Sequence, residues 1–491
     1  MTMTDKTRVL AFDLGASSGR AVLAGFDDGQ LRLQEVHRFP NEPVSYGGHL
    51  YWDVLRLLHE IKTGLRKAHA EGGFASVGID TWGVDYGLLD RRGALLGAPY
   101  HYRDSRTDGM TAEAFSRISA ETLYQKTGCQ IMPINTAFQL LEHQMHAPEL
   151  LAQAQCFLPM PDLLAYLLTG DMSTERTIAG TTQLFDPVSG GWSGEVIAAL
   201  GLPEHLFPAM AQTGSVKGML ADDICRELGI PSVPVIAVCG HDTQCAAVAV
   251  PNADGAEACF ISCGTWALFG TELDAPVLTE ESAALGISNE VGYGDTVDFL
   301  KNITGTWILQ ETRRVLARNG EPYSYADMES LAAAAPSGVR FIDVDAPAFS
   351  APGDMPARIR DWCSESGQPM PGDTADVLRC IYESLACKFR TALDEIHAVT
   401  GKRFSQIYML GGGVKDALLC QLTADVCELP VLTGPVEATA LGNAAVQLIA
   451  AGAVADLREA RALIARSVTV KRYTPDPGHA YIFDNYKRLF N

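Results

Sequence analysis

The sequence lacks the short motifs that usually identify a kinase or a metalloenzyme. It has no G-x-x-x-x-G-K-[ST] phosphate loop, and the H-R-D and D-F-G segments of protein kinases are missing. It has no H-E-x-x-H segment and no Cys/His spacing typical of zinc ligands. These absences argue against P-loop kinases, protein kinases and the common zinc enzymes.

Long apolar runs and basic residues are also scarce. No apolar run is long enough to span a bilayer, and residues 1–7 are polar, without the apolar core of a signal peptide. The 491 residues include 38 Lys and Arg against 59 Asp and Glu, a formal net charge of −21, which disfavours nucleic acid and anionic membranes as partners. We therefore expect a cytoplasmic protein that acts on small molecules.

The 12 cysteines contain no C-x-x-C pair. Most of them lie in apolar segments, as Cys259 and Cys420 do, which indicates buried thiols in a reducing compartment. Spacing alone leaves open whether Cys363 and Cys380 pair.

The stretch over residues 8–26, RVLAFDLGASSGRAVLAGF, carries the first candidate site. Its pattern predicts a buried strand over 9–12, with Asp13 at the strand end, then a turn of small residues over 14–19 and a second strand over 20–26. A carboxylate beside a small-residue turn suits the close approach of a phosphate and its metal ion.

Two other interpretations of this turn remain open. For anion binding, Gly15 and Gly19 would permit positive φ and so aim N–H groups at an anion. The first alternative is a hairpin turn without a ligand, which fits the same residues. The letters GASSG also fit G-x-S-x-G, the nucleophile elbow of serine hydrolases. That motif requires a helix after the turn, whereas the sequence favours a second strand.

Further polar clusters follow predicted strands. Asp80 and Asp85 lie in DTWGVD after a predicted strand over 77–80, where ligands bind in open α/β sheets, although turn formation explains them equally well. Residues 100–107, YHYRDSRT, suit a polyhydroxylated ligand or a solvated loop. A predicted strand over 231–238 precedes GHDT, in which Asp242 is a candidate general base, a helix N-cap, or both.

The second half of the chain repeats the opening pattern. Residues 258–270, ACFISCGTWALFG, predict strand, small turn and strand again after a boundary over 251–255. A long amphipathic helix is predicted between Asp373 and Gly401, and Gly411-Gly412-Gly413 lies between a strand and a helix. Such a triglycine suits a nucleotide or close helix–strand packing. The repeat suggests two similar domains, 1–250 and 251–491, that present their turns to a shared cleft.

Taken together, DLGASSGR, IDTWGVD, YRDSRT, GHDT, SCGTW, KNITGTW, GGG and VEATALGN resemble the FGGY family of carbohydrate kinases over residues 8–485. The resemblance implies an α/β fold of two ribonuclease-H-like (actin-like ATPase) domains flanking a catalytic cleft, with sugar bound mainly by the first and ATP mainly by the second. It implies ATP-dependent phosphorylation of the 1-hydroxyl of L-rhamnulose in L-rhamnose catabolism. The alternatives are a related ketose such as L-fuculose or L-xylulose, or a non-catalytic ATP- and sugar-binding regulator. Either a monomer or a dimer is expected.

The resemblance also implies a role for individual residues. Asp242 would be the catalytic base, and Asp13 would place Mg²⁺ through water. Asp85 and Arg103 would add sugar contacts. The residues expected to contact ATP are Ala16, Ser17, Ser18, Gly19, Arg20, Thr265, Gln310 and Gly412. Those expected to line the sugar site are Gly83, His241, Asp242, Thr243 and Asn302.

Overall fold

The computed structural model describes residues 7–27 and 29–490, which form two compact units. The first unit takes the chain up to Ala249 together with Glu272–Phe299 and Thr439–Ser467. The second comprises Val250–Thr271, Leu300–Ala438 and the chain from Val468 onward. Neither unit is a single continuous segment.

Strands and helices alternate along much of the chain. The strands are β1 Val9–Leu14, β2 Ser18–Asp27, β3 Gln30–Pro40, β4 Val44–Tyr46, β5 His49–Tyr51, β6 Val77–Thr81, β7 Tyr86–Asp90, β8 Ala154–Pro159, β9 Thr174–Glu175, β10 Phe185–Asp186, β11 Gly191–Trp192, β12 Met210–Ala211, β13 Val216–Met219, β14 Pro234–Ile236, β15 Ala258–Cys263, β16 Trp266–Leu273, β17 Ser288–Val291, β18 Val297–Thr304, β19 Gln406–Leu410, β20 Val431–Thr433 and β21 Arg472–Tyr473. The helices are α1 Val54–Ala70, α2 Met110–Phe115, α3 Ala120–Thr127, α4 Thr136–His146, α5 Pro148–Gln153, α6 Met160–Thr169, α7 Arg176–Ala179, α8 Gly194–Leu200, α9 Asp222–Leu228, α10 Asp242–Val248, α11 Glu280–Ala284, α12 Trp307–Arg318, α13 Tyr325–Ala334, α14 Met355–Glu365, α15 Thr374–Thr400, α16 Ala417–Cys427, α17 Ala438–Ala450, α18 Leu457–Ser467 and α19 Tyr481–Phe490.

The main sheet of the first unit has the order β13-β14-β6-β1-β2-β3. Every residue of β1 is buried, as expected for a central strand with neighbours on both sides. It pairs antiparallel with β2 and parallel with β6, so that Asp13 lies beside Arg20 on one side and Asp80 on the other. The predicted hairpin is confirmed, with one change: pairing extends to Leu14 and Gly19, so Asp13 lies within β1 and the turn is only residues 15–17.

Helix α1 covers one face of this sheet. Asp53 caps it as its side chain accepts from the Arg56 N–H. Leu57, Ile61 and Leu65 recur at helical spacing and are buried in the same core as the strands. Burial of each such side chain stabilises the unit by roughly 1.5–3 kcal/mol.

Three predicted elements differ from the structure. The sequence over 124–135, which contains Gly128, Pro133 and Asn135, predicts a loop, but the loop begins only after α3, which ends at Gly128 in the left-handed conformation. The sequence over 139–150 predicts one helix, but the structure has two, α4 and α5, because Pro148 lacks an N–H and starts α5. The strand predicted over 231–238 is shortened to Pro234–Ile236, and at its start neither Pro231 nor Pro234 has an N–H to donate to a neighbouring strand.

The second unit contains the predicted repeat of the hairpin. β15 and β16 pair antiparallel, with Ile261 opposite Phe269, and β15 also pairs parallel with β19. β19 pairs parallel with β20, which pairs antiparallel with β21. The predicted long helix is α15, capped by Asp373 and ended by Gly401 at φ 68°. Each unit therefore contains a β-hairpin whose first strand also pairs in parallel with a later strand.

All 12 cysteines are free thiols, and all except Cys225 are buried. Cys363 and Cys380, whose pairing the sequence leaves open, are both unbridged. Within the described ranges, no helix has the length and apolar character needed to cross a membrane.

Candidate active site

The turn between β1 and β2 is fixed by backbone contacts. Gly15 N–H donates to the Ser18 carbonyl at 3.0 Å, and Asn41, just beyond β3, holds the Gly15 and Ser17 carbonyls at 2.8 and 3.1 Å. Ala16 and Ser17 lie in the turn, while Ser18 already belongs to β2. A strand, not a helix, follows the turn, which excludes the nucleophile elbow.

Gly15 in this turn and Gly19 at the start of β2 have other roles than the sequence suggests. Neither Gly15 nor Gly19 has a positive φ. A Cβ on Gly19 would lie 2.3 Å from the Phe39 ring, so a side chain is excluded there by packing. The expectation of positive φ at these positions is wrong, because the turn closes with the Gly15–Ser18 hydrogen bond in ordinary backbone conformations.

Asp13 is paired with Arg20, its register partner on β2. Arg20 Nε and Nη2 donate to Asp13 Oδ2 at 2.9 and 2.6 Å. Both donors use the same oxygen. The Asp13 carboxylate next to this turn therefore has its counter-charge on the neighbouring strand.

Asp80 lies beside Asp13 on the parallel strand β6 and is fully buried. Its Oδ2 accepts from Asn443 Nδ2 at 2.6 Å, and among the described residues its Oδ1 has no hydrogen-bond partner. Burial and the nearby charges of Asp13 and Asp242 hold the pKa of Asp80 well above its usual range. Two carboxyl groups, one with an unused buried oxygen, therefore lie side by side at this position.

Asp85 has every oxygen occupied by protein donors. Its Oδ2 accepts from Trp52 Nε1, Trp82 Nε1 and Tyr102 N–H at 2.6, 3.0 and 3.1 Å, and its Oδ1 accepts from Gln139 Nε2 at 3.0 Å. Burial raises its pKa to about 6 in spite of these donors. Asp85 thus anchors two indole rings, those of Trp52 and Trp82, whose centroids lie 4.0 Å apart. A direct contact between Asp85 and the sugar stays a prediction.

The backbone at Gly83 is held in a strained turn. Asp85 N–H donates to the Gly83 carbonyl at 2.9 Å, and Val84 between them has φ 66°, a rare conformation for a β-branched residue. Thr181 Oγ1 accepts from Val84 N–H, and Thr136 Oγ1 donates to its carbonyl. Strain held in place in this way is typical of functional sites, and nothing in the local sequence indicates it.

Asp242 is the first residue of α10, and His241 is the N-cap. The interpretation of Asp242 as the cap is therefore wrong. Its Oδ1 accepts from Thr243 N–H at 2.7 Å and lies 3.4 Å from His241 Nε2, while its Oδ2 has no hydrogen bond to any described residue. The side chain is 31% exposed. Burial of the carboxyl group raises the pKa of Asp242 to about 6. The positive charge of His241 lowers this pKa, and the negative charge of Asp13 raises it.

The backbone before Asp242 is anchored at two points that sequence reasoning missed. Gly240 N–H donates to Glu175 Oε2 at 2.9 Å, and the Gly240 carbonyl accepts from Thr81 N–H at 2.9 Å. Glu175 is buried and also caps α7.

Arg103, which the resemblance predicts to contact the sugar, is exposed and lies beside the Tyr102 ring.

In the second unit, the turn of the β15–β16 hairpin lies beside the start of α12. Thr265 Oγ1 lies 3.3 Å from Gln310 Oε1, and Gly305 N–H donates to the Thr265 carbonyl at 3.1 Å. A Cβ on Gly305 would lie 2.5 Å from the Trp266 carbonyl carbon, so this approach requires glycine. Two residues expected to contact ATP are thus brought together, while Asn302 lies half-buried in β18.

Two positions of the triglycine favour glycine for structural reasons, one through its backbone conformation and the other through close packing. Gly411 has φ 78°, and a Cβ on Gly413 would lie 2.4 Å from Cys263 Sγ. Gly412 differs, because nothing lies within 4 Å of the position of its Cβ. The three residues bring the start of a short 3-10 turn against the end of β15 and leave Gly412 open.

Comparison with known proteins decides the family. The N-terminal domain of the FGGY family of carbohydrate kinases matches residues 8–249, and the C-terminal domain matches residues 259–451. The chain belongs to this family. The kinase is 42% identical to a rhamnulokinase of Bacteroides thetaiotaomicron over 96% of each chain, and 37% identical to a rhamnulokinase of Bacillus subtilis over 95% of each chain.

Solved structures show the fold. A xylulose kinase from Lactobacillus acidophilus superimposes on the kinase with a TM-score of 0.82 at 20% identity, over 99% of this chain and 96% of that one. Plasmodium falciparum glycerol kinase with ADP gives a TM-score of 0.80 at 16% identity, over 99% and 97%. The predicted two-domain α/β fold of the actin-like ATPase class is confirmed.

Proposed function

We propose that this carbohydrate kinase phosphorylates the 1-hydroxyl of L-rhamnulose with ATP, in L-rhamnose catabolism. The observation that carries the proposal is the set of curated rhamnulokinases that are 37–42% identical over 95–98% of this chain. The products are L-rhamnulose 1-phosphate and ADP.

Asp242 is the general base of this reaction. Its open Oδ2 accepts the proton of the sugar hydroxyl while the hydroxyl oxygen bonds to the γ-phosphorus and the bond from that phosphorus to ADP breaks. Its contacts with Thr243 and His241 involve only Oδ1, which leaves one oxygen for the substrate. A pKa of about 6 keeps the carboxylate ionised at neutral pH and still basic enough to take a proton.

The two substrates use different sets of residues. The domain over 1–250 binds sugar and that over 251–491 binds ATP, apart from the first phosphate turn. The residues that contact ATP are Ala16, Ser17, Ser18, Gly19, Arg20, Thr265, Gln310 and Gly412. The residues that line the sugar site are Gly83, His241, Asp242, Thr243 and Asn302. The exposed turn at Ser17, the Thr265–Gln310 pair and the open side of Gly412 support this assignment.

Mg²⁺ would accompany ATP, and Asp13 would hold it through water. In the part of the chain that the structure describes, no three or more His, Cys, Asp or Glu side chains are grouped to hold a metal ion. Mg²⁺ usually keeps several waters and phosphate oxygens, so the Asp13 carboxylate beside the unused Asp80 oxygen fits it. When bound, the ion neutralises phosphate charge.

The buried free thiols support a reducing, cytoplasmic compartment for this enzyme.

An ATP-coupled assay over purified ketoses tests the proposal. We expect kcat/KM for L-rhamnulose to exceed that for L-fuculose and L-xylulose by about tenfold or more, the discrimination that roughly 1.4 kcal/mol provides. A higher value for either rival would reassign the substrate. ATP and sugar binding without any turnover would instead indicate a regulator.

A further inference from the structure

Glu290, on β17 of the first unit, contacts the histidine next to the proposed base. Its Oε2 lies 3.0 Å from His241 Nδ1 and accepts from Gln244 Nε2 at 3.0 Å. On the other side of the same ring, His241 Nε2 lies 3.4 Å from Asp242 Oδ1. Glu290, His241 and Asp242 therefore form a line of three side chains.

The imidazole lies between two carboxylates in a nearly dry environment. The His241 side chain is 11% exposed and that of Glu290 only 7%. The charges of Glu290, Asp242 and Asp298 raise the pKa of His241 against the effect of burial. A doubly protonated ring carries a positive charge that attracts the carboxylate at each end, and both contacts are ion pairs, since among the described residues His241 Nδ1 makes no aligned hydrogen bond.

We propose that Glu290 is a positioning residue for phosphoryl transfer: it orients the His241 ring so that Nε2 holds Asp242 Oδ1 and leaves Oδ2 for the sugar hydroxyl. The proposal rests on the proposed function, in which Asp242 is the base. The order of groups follows a general rule of active sites, in which a third group fixes the partner of the reacting one.

The electrostatics give Glu290 a second effect. Asp242 faces the carboxyl groups of Asp13, Asp80 and Glu290 as well as the imidazole of His241. Among these, the influence of His241, which lowers the Asp242 pKa, is larger than that of Glu290, which raises it. Glu290 provides the largest influences that raise the His241 pKa, so without its charge burial favours the neutral ring. With a neutral ring, Asp242 loses the larger, lowering influence of His241 together with the smaller, raising influence of Glu290, and its pKa rises.

Glu290→Gln tests the proposal, because it keeps the shape of the side chain and removes its charge. We expect kcat for L-rhamnulose phosphorylation to fall about 10- to 100-fold, the usual loss when a supporting carboxylate is removed, with little change in KM for ATP. In the wild type, kcat/KM should fall as the pH is lowered through about 6. This acid limb of the pH–rate profile, called the pH limb below, should move to higher pH in the variant. A merely structural role would lower thermal stability without moving the limb.

Two further variants complete the experiment. Glu290→Asp keeps the charge but withdraws the carboxylate by one methylene, so we expect an intermediate kcat with a limb near that of the wild type. Glu60→Gln is the matched control, since Glu60 is also a buried carboxylate whose Oε2 lies 2.5 Å from a histidine nitrogen, on His37. It has no contact with Asp242, and its kcat and pH limb should equal those of the wild type.

The outcomes separate this inference from the function on which it rests. Wild-type kcat and pH limb in folded Glu290→Gln would overturn the role of Glu290 while the kinase activity stands. If Glu290→Gln does not fold, wild-type kcat in Glu290→Asp would overturn it instead. An inactive wild-type protein with L-rhamnulose would refute the proposed function itself.

Discussion

At the scale of single residues, the two oxygens of the Asp242 carboxylate have different surroundings. Oδ1 accepts from the Thr243 N–H and lies near His241, whereas Oδ2 has no hydrogen bond to any residue in the described ranges. A single proton transfer needs this asymmetry, because one oxygen fixes the orientation of the group and the other reacts.

Asp242→Asn should abolish phosphoryl transfer while ATP binding survives. The amide keeps the size of the side chain but has no basic oxygen, and general-base catalysis contributes about 10²- to 10⁴-fold. The loss in kcat is measured with L-rhamnulose in the coupled assay, and ATP affinity is measured by calorimetric titration.

Asp222→Asn is the matched control for this variant. Asp222 is likewise the first residue of a seven-residue helix, α9, but it is exposed, so its loss should leave turnover unchanged. Near-normal turnover by Asp242→Asn would show that the base is another group.

At the scale of elements, sequence reasoning succeeds where the signal is local. Both hairpins are predictable because each has two apolar runs around a turn of small residues, and α15 because Asp373 and Gly401 mark its ends. The observed ends of elements differ from the predicted ones where strand pairing or proline determines them. Pairing extends β1 past Asp13, and Pro148 begins a separate helix.

The supporting contacts of the site are not predictable in this way. Asn443 reaches Asp80 across 363 positions of sequence, and no periodicity or motif links two such residues. Glu290 and Glu175 occur in short strands with no recognisable motif, and their partners become known only when the chain folds. The positive φ of Val84 opposes its own local preference and is imposed by Thr181 and Thr136.

Helix α17 depends on one glycine for its contact with α10. A Cβ on Gly442 would lie 1.7 Å from the Cys245 carbonyl oxygen, so Gly442→Ala must push the two helices apart. We expect the free energy of unfolding to fall by about 1–3 kcal/mol, the usual cost of overpacking, as measured by urea denaturation. Because Asn443 follows directly, kcat should fall as well.

Gly194→Ala provides the comparison for this helix contact. Gly194 begins α8, its φ is not positive, and nothing lies within 4 Å of the position of its Cβ. Alanine there should be neutral or stabilise by up to about 1 kcal/mol. Equal stability of the two variants would contradict the close approach of α17 and α10.

At the scale of the whole molecule, an acidic protein must bind an anionic nucleotide. The net charge of −21 gives no general attraction for ATP, so recognition depends on local donors. We propose that the two hairpin turns, the open Gly412 position and the Arg20 guanidinium provide such donors, which lie in both units. The residues proposed to line the sugar site, in contrast, lie mainly in the first unit.

This division predicts two different footprints in hydrogen exchange. L-Rhamnulose alone should slow amide exchange most over residues 79–86 and 240–246, whereas ADP alone should slow it most over residues 263–266, 305–310 and 411–416. A ligand at 100 times its Kd stabilises the bound state by about 2.7 kcal/mol, which slows exchange through local opening by about 100-fold. Mass spectrometry of peptic peptides resolves these segments, and a ketose that is not phosphorylated is the control. If L-rhamnulose instead protected residues 305–310 and 411–416 most strongly, the assignment of sugar to residues 1–250 would be wrong, because a ligand stabilises first the backbone that it contacts.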